Sequence, residues 1–373
     1  MPHLRELLAD RIRTSGPISF AEFMELSLYH PELGYYARAA RKTGRAGDFF
    51  TSVDVGPIFG ELLARQLAEM WRILKDQSPV PNPQSLQFDL IEAGAGDGRL
   101  ARDILDSAQR IDPDFYSVIR LFLVERSPAA RAAQQDTLGP HAALLKYSGS
   151  AVPEAIHGAI IANELLDALP IHAVAMTGNG LREVFVDLEN GMFVERLEEP
   201  STPRIAEYLS RAGAVMHSGA RAEVNLSAED WIKTASNSLT TGFTIIIDYG
   251  HDEAELYDGS HASGTLTSFK QHTQLADFLQ TPGECDITAH VDLTAVTRAA
   301  VRNGLDVLGR LDQTYFLLGL GIPDLEGMSL QQRLAMKTLL LPGGLGSTHK
   351  VLIFGKGVGT PALKGLSYRV RLT

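Results

Sequence analysis

The stretch Phe88-Asp89-Leu90-Ile91-Glu92-Ala93-Gly94-Ala95-Gly96-Asp97-Gly98 decides how this chain reads. An apolar run ends in an acid and glycines follow at every second position. Leu100, Ile104 and Leu105 then mark one face of an amphipathic run. That order implies a buried strand, a tight turn and a helix. Gly94, Gly96 and Gly98 let the backbone turn sharply and approach a ligand with no Cβ in the way. Glu92 falls at the carboxyl end of the strand, the edge of an α/β sheet where ligands bind. Dinucleotide enzymes set the third glycine one residue further on, as G-x-G-x-x-G, and turn a helix N-terminus toward a pyrophosphate. Here an acid precedes the glycines and Asp97 lies among them. Such a loop suits a ligand with a cationic centre and an amino group, as in the sulfonium of S-adenosylmethionine. The alternative is a glycine-rich turn that holds no ligand.

With 373 residues the chain can bury a large core and is long enough for two domains, or for one with insertions. A net charge of −11 argues against general nucleic-acid binding, which needs excess Lys and Arg, and is compatible with a basic peptide substrate. No apolar run approaches the roughly 20 residues a membrane helix requires, so no membrane insertion is expected. Arg5, Glu6 and Asp10 break up the N-terminal residues, which do not read as a signal or transit peptide. Cys285 is the only cysteine, which rules out intrachain disulfides and favours a reduced, cytoplasmic protein.

Residues 1–85 read as an N-terminal helical region covering substrate or acting as a lid. Leu4, Leu7, Leu8 and Ile12 share a face, Ser19 is a cap for a second helix, and a third runs over about 57–74. Gly47 to Ser52 reads as a loop, and Pro79, Pro81 and Pro83 mark a linker. Residues 86–168 form the first half of a core, with further strands at 120–125, 144–148 and 159–162, and a helix capped by Ser127 with Pro128 at its first position. The fifth strand, 243–247, begins about 80 residues after the fourth, too far for an ordinary crossover. Residues 169–237 are therefore an inserted α+β segment, in which Asn190-Gly191 turns a hairpin of type I′ and the remainder is helical. The second half, 238–373, adds late strands at 305–311 and 351–354 around a helix at 330–340. Together these imply a class I methyltransferase fold, a Rossmann-like parallel sheet closed by an antiparallel strand.

Several side chains are placed for chemistry. Glu125, ending the second strand, suits ribose hydroxyls of any nucleoside cofactor, or simply pairs with Arg126 or Arg131. Asn163 and Glu164 follow the fourth strand. Glu164 and Asp167, three apart, share a face if a helix starts there. They then either complement its dipole or clamp a guanidinium, whose planar fork pairs with carboxylates and whose proton a nearby carboxylate can take. Asp248-Tyr249-Gly250 closes the fifth strand and lines the same crevice. Glu284, Asp286, His290 and Asp292 crowd one short window. His251, His261, His272 and His290 lie on different loops without metal-ligand spacing, and no metal is expected.

Taken together, these segments resemble the MidA family of S-adenosylmethionine-dependent methyltransferases, whose mitochondrial members assist assembly of respiratory complex I. The likeness covers nearly the whole chain. It rests on Tyr29-His30-Pro31-Glu32-Leu33-Gly34-Tyr35-Tyr36, Gly47-Asp48-Phe49-Phe50-Thr51, Glu92 to Gly98 and Val124-Glu125-Arg126-Ser127-Pro128. It continues through Ala162 to Pro170, Arg182 to Asp187, Ile247-Asp248-Tyr249-Gly250 and Pro282 to Asp292. The resemblance implies S-adenosylmethionine as cofactor, held by Glu92, Gly94, Gly96, Gly98, Glu125 and Asn163. It implies methyl transfer to a protein arginine, with Glu164, Asp167 and His290 as candidate catalytic groups and a complex I-type subunit as the partner. Two stretches depart from the family pattern. Thr267 stands where an Arg is usual, and Leu345-Gly346-Ser347-Thr348-His349-Lys350 replaces a segment usually ending in Met-Gly. If that Arg contacts substrate, the substrate differs here. The competing functions are a non-catalytic assembly factor that keeps the cofactor pocket, and a nicotinamide-dependent oxidoreductase, which the glycine spacing disfavours.

Overall fold

The computed structural model describes residues 3–39, 51–78, 86–270, 273–274, 277–322, 329–341 and 345–368. Most of the expected loop at 47–52, the proline-bearing linker at 79–85 and His272 lie outside these residues. The chain forms two compact units. One comprises Phe50–Leu165, Ile232–Tyr249 and Ala299–Thr373, and the other Met1–Phe49, Leu166–Trp231 and Gly250–Arg298.

The first unit is built on a mostly parallel sheet. Its strands run across the sheet in the order Asp306–Asp312, His349–Lys356, Leu239–His251, Ile156–Asn163, Phe88–Ala93, Ile119–Val124 and Leu145–Gly149. His349–Lys356 is antiparallel to both of its neighbours. The sheet expected from sequence is therefore present, closing antiparallel strand included. Every residue of Phe88–Ala93 is buried, as a strand covered on both faces requires. Register sets the rim. Ala93 lies opposite Val124 on one side and Ala162 on the other, and Asn163 opposite Ile247. The carboxyl ends of these strands thus share one edge, which carries the glycine loop, Glu125, Glu164 and Asp248. The helix Arg99–Ile111 starts at Gly98 and buries Leu100, Ile104 and Leu105. Ser127 caps Pro128–Leu138 by accepting from Ala130 N, as its sequence position predicts.

In the second unit, Gly180–Glu189 pairs with Met192–Glu198, His172–Thr177 and Ile18–Ser19, and His172–Thr177 pairs with Arg221–Val224. Asn190 and Gly191, at φ 50° and 80°, turn the hairpin in the left-handed conformations that type I′ demands. Ser19 caps Phe20–Tyr29. Phe20, Phe23 and Met24 then bury with Ile171, Val184 and Val186.

These units cut the chain differently from the expected segments 1–85, 86–168, 169–237 and 238–373. The helix Ile58–Gln77 joins the core sheet, where Leu62, Leu67 and Trp71 share an apolar cluster with Leu100, Ile104 and Phe115. Residues 1–49, together with 250–298, belong with the inserted segment. Periodicity shows which face of a helix is apolar but not what that face will meet. The expected helical remainder of the insertion is also interrupted by Arg221–Val224, a short strand stabilised by its ladder with His172–Thr177. No helix among the described residues is long and apolar enough to cross a membrane.

Candidate active site

The glycine loop sits where the sequence places it. Gly94, Gly96 and Gly98 all have left-handed φ, of 71°, 51° and 88°. Their surroundings differ. A Cβ on Gly94 would lie 3.2 Å from Leu165 Cδ1, and one on Gly98 would lie 3.3 Å from Leu123 Cδ1. A Cβ on Gly96 would meet nothing within 4 Å. A side chain on Gly96 would thus point into open space, while Gly94 is the most exposed of the three glycines.

Glu92 is 5% exposed, and its Oε2 has no hydrogen-bond partner among the described residues. Burial pushes its carboxyl well above the usual carboxylate range, and the neighbouring acids Asp97, Glu125 and Asp103 push it further. Such a group lacks a cation. Asp97 is partly neutralised, since Arg99 Nε donates to its Oδ1 at 3.3 Å while Arg99 also pairs with Asp54.

Glu125 receives Gly96 N on Oε2 at 2.9 Å and Ser127 N on Oε1 at 2.7 Å. Arg131 donates to the backbone oxygen of Glu125 at 2.6 Å. Backbone donors thus fix the carboxylate at the strand end, and each oxygen retains accepting capacity. Gln134, which the sequence does not single out, donates to Gly96 O at 2.8 Å and accepts from Ser148 at 2.6 Å. It locks the loop from behind.

At the fourth strand the structure decides between the two readings left open by the sequence. No helix starts at Glu164; residues 164–169 form bends and a turn. Glu164 and Asp167 therefore share no helical face, and the helix-dipole explanation of the pair does not apply. Glu164 has φ 49°, a left-handed conformation that costs a non-glycine residue of order 1–3 kcal/mol. The strain aims its carboxylate. Oε1 accepts from Ser52 N at 3.0 Å and from Asn163 Nδ2 at 3.3 Å, while Glu164 N donates to Ile247 O at 2.8 Å. Asn163 Oδ1 is buried with no partner among the described residues.

His349 completes this group. It lies opposite Tyr249 in the closing antiparallel pair, is buried, and brings Nε2 to 3.8 Å from Glu164 Oε1. That nitrogen has no hydrogen-bond partner among the described residues. Sequence reasoning missed it because an antiparallel register between distant strands leaves no local signal. Asp248, expected to line the crevice, instead braces it: Oδ2 accepts from Leu165 N at 3.2 Å and Oδ1 from Tyr249 N at 2.9 Å. Asp248→Asn replaces one acceptor with an N–H facing a donor. It should cost about 1–3 kcal/mol, read as a lowered Tm, and should loosen the Glu164 turn.

Asp167 and His290 belong to the other unit. Asp167 is 5% exposed and its backbone oxygen accepts from Ala289 N at 3.1 Å. The crowded window at 284–292 separates into pairs, with Asp286 accepting from Tyr36 at 3.0 Å and Asp292 from Tyr208 at 3.0 Å. His290 departs most from expectation. Together with His251 and His261, it forms a group of imidazoles whose candidate ligand atoms lie within 4.8 Å of one another. Burial, and then the charges of His251 and His261, hold its pKa down at about 4.

A family model for S-adenosyl-L-methionine-dependent methyltransferases matches residues 62–311. The chain belongs to this family. It is similar to the mitochondrial protein arginine methyltransferase NDUFAF7 of Mus musculus, at 32% identity over 86% of this chain and 74% of that protein. The Danio rerio protein of the same name is 31% identical, over 84% of this chain and 76% of its own. A COG1565 superfamily member from Burkholderia thailandensis, crystallised with S-adenosyl-homocysteine, matches with a TM-score of 0.86 at 31% identity, over 98% of this chain and 94% of that one. The MidA-type resemblance seen in the sequence is confirmed. This methyltransferase uses S-adenosylmethionine, and the nicotinamide and non-catalytic alternatives are set aside.

Proposed function

We propose that this methyltransferase transfers a methyl group to an arginine guanidinium of a protein. Its relatives are named protein arginine methyltransferases. The observation that carries the reading is the strained and doubly hydrogen-bonded Glu164 carboxylate at the end of the fourth strand.

The residues present fit the cofactor. Glu92 offers a buried, unpartnered carboxyl oxygen to a cation, and Asn163 an unpartnered amide oxygen. Gly96 leaves open the space a side chain would fill. Glu125 is held where it can accept from ribose hydroxyls, and Gly94 and Gly98 keep the loop compact against Leu165 and Leu123. S-adenosylmethionine, when bound, supplies an electrophilic methyl group on its sulfonium.

The rest of the chemistry is a proton problem. Arginine has a pKa above about 12, so its guanidinium is a poor nucleophile until a proton leaves. Glu164 orients the planar fork through its carboxylate and accepts the departing proton. Ser52 N–H and the Asn163 amide hold Oε1 in place. His349 Nε2, at 3.8 Å, is positioned to take the proton onward.

Glu92 gives a test of the cofactor half. Its folded pKa is raised, so between the ordinary carboxylate range and that raised value the ligand-free fold binds more protons than the unfolded chain. Its contribution to stability is then lost as pH rises through that window. A cation beside Glu92 favours the carboxylate and expels the proton. Calorimetric titration with S-adenosylmethionine, in buffers of different ionisation enthalpy and at pH stepped upward from the carboxylate range, should show proton release. Glu92→Gln should abolish that release and weaken binding by at least about tenfold, or about 1.4 kcal/mol. No proton exchange, with unchanged affinity in the Gln variant, would remove Glu92 from the pocket.

The substrate is tested by radiolabelled methyl transfer into a lysate of the source cells, followed by identification of the labelled residue. Methylated arginine on one protein is the expected result, with a respiratory complex I-type subunit as the proposed partner. Label on any other residue type overturns the arginine assignment.

A further inference from the structure

We propose that His251, His261 and His290 form a binding site for a divalent transition-metal ion of the zinc class. The three come together through elements far apart in sequence. His251 ends the strand Leu239–His251, whose last residues pair in parallel with Val291–Asp292, so that Gly250 faces Val291 and His251 faces Asp292. That pairing seats His290, one residue before the partner strand, against His251. The turn carrying His261 is tied to the neighbouring strand, where Arg221 N donates to Ala262 O at 2.9 Å. His290 N donates to Thr265 Oγ1 at 3.0 Å, and Thr265 is itself held by the Glu223 carboxylate at 2.9 Å.

Glu255 lies against both His251 and His261. His251 Nδ1 lies 2.9 Å from Glu255 Oε2, and His261 Nδ1 lies 3.1 Å from Glu255 O. A carboxylate only accepts, so the His251 ring carries a proton on Nδ1 and keeps Nε2 for a ligand, whereas His261 Nδ1 also lies 3.0 Å from Ser260 Oγ, which can donate or accept. Metal-binding histidines are oriented in this way, one ring nitrogen on the metal and the other on a carboxylate or carbonyl. One residue, Glu255, offers an acceptor to each ring. Ring centroids lie 4.9 Å apart for His251 and His261 and 5.0 Å apart for His251 and His290.

Zinc with Zn–N of about 2.0–2.1 Å needs tetrahedral nitrogens about 3.3 Å apart. The candidate ligand atoms, at no more than 4.8 Å from one another, must close by at most about 1.5 Å, which small rotations of the imidazoles can deliver. An all-nitrogen donor set suits zinc, cobalt, nickel or copper and disfavours magnesium and calcium, which prefer oxygen. All three side chains are half-buried, which leaves an entry path from solvent. A small cavity lined by Glu223, Tyr257, His261, Thr265 and His290 adjoins two of the three imidazoles.

The test uses tag-free, chelator-treated full-length protein. Titration with zinc chloride against a chromophoric chelator should show one equivalent bound with a Kd below about 10 μM. Cobalt should give the visible absorption of a four-coordinate site. His251→Ala and His261→Gln should each weaken binding at least about a hundredfold, and Glu255→Gln, which removes only the orienting carboxylate, by about tenfold or more. His217→Ala, on an exposed residue outside the group, should leave binding unchanged. Zinc should raise the Tm of the wild-type protein and of His217→Ala, but not of the His251 or His261 variants. Wild-type protein that takes up no stoichiometric zinc overturns the proposal without reference to any variant. Uptake that persists in the His251 and His261 variants overturns it equally.

Discussion

Glu164→Gln should lower methyl transfer by at least about a hundredfold while leaving S-adenosylmethionine affinity nearly unchanged, the usual scale for losing a positioned general base. The substitution keeps the shape of the side chain. Its amide oxygen can still accept from Ser52 N and Asn163 Nδ2, and the left-handed φ of 49° is as tolerable for Gln as for Glu. Only the charge, and with it the capacity to take a proton, is lost. Stability should therefore change by no more than about 1 kcal/mol. Single-turnover transfer to an arginine peptide or protein, measured beside thermal melting, separates the two roles. Lost transfer with an unchanged Tm identifies a general base, whereas a lowered Tm with normal transfer identifies a structural brace. His349→Gln should give a smaller loss, because the imidazole acts behind the carboxylate at 3.8 Å. Near-normal turnover in both variants would remove Glu164 and His349 from the chemistry.

Gly94→Val should abolish cofactor binding, and it should do so partly through the fold. At φ 71° a β-branched residue is strained, and its Cβ would press to 3.2 Å from Leu165 Cδ1, beside Glu164. A loss of about 1–3 kcal/mol in stability should accompany the loss of binding. Gly96 isolates the ligand effect. A methyl there meets no protein atom within 4 Å, so Gly96→Ala carries only the backbone cost of φ 51°, about 1–2 kcal/mol. If the ligand approaches the backbone at this point, the methyl occupies its space and affinity should fall by at least about tenfold. Calorimetry on folded Gly96→Ala protein with wild-type affinity would move the ligand away from the loop.

The sequence by itself determined what depends on near neighbours. The apolar run of 88–93, the alternating glycines and the amphipathic face of Leu100, Ile104 and Leu105 gave strand, turn and helix in place. Caps at Ser19 and Ser127 and the Asn190-Gly191 turn were legible because each acts within a few residues. The position of Glu92, Glu125 and Glu164 at the carboxyl edge of the sheet was legible by the same logic, since each lies beside the end of its strand.

Tertiary structure alone decided what depends on which distant segments meet. His349 stands near Glu164 because its strand pairs antiparallel with Leu239–His251, a register set by side chains about a hundred residues apart. Ser52 reaches Glu164 from a turn that local pattern reads only as loop. At Glu164 a left-handed residue stands instead of a helix start, held by tertiary hydrogen bonds from Ser52 N and to Ile247 O. His251, His261 and His290 read as scattered, and a parallel pairing of two-residue length together with one bridged turn gathered them. Periodicity and turn chemistry are written within a few residues, whereas convergence of side chains is a property of the closed chain.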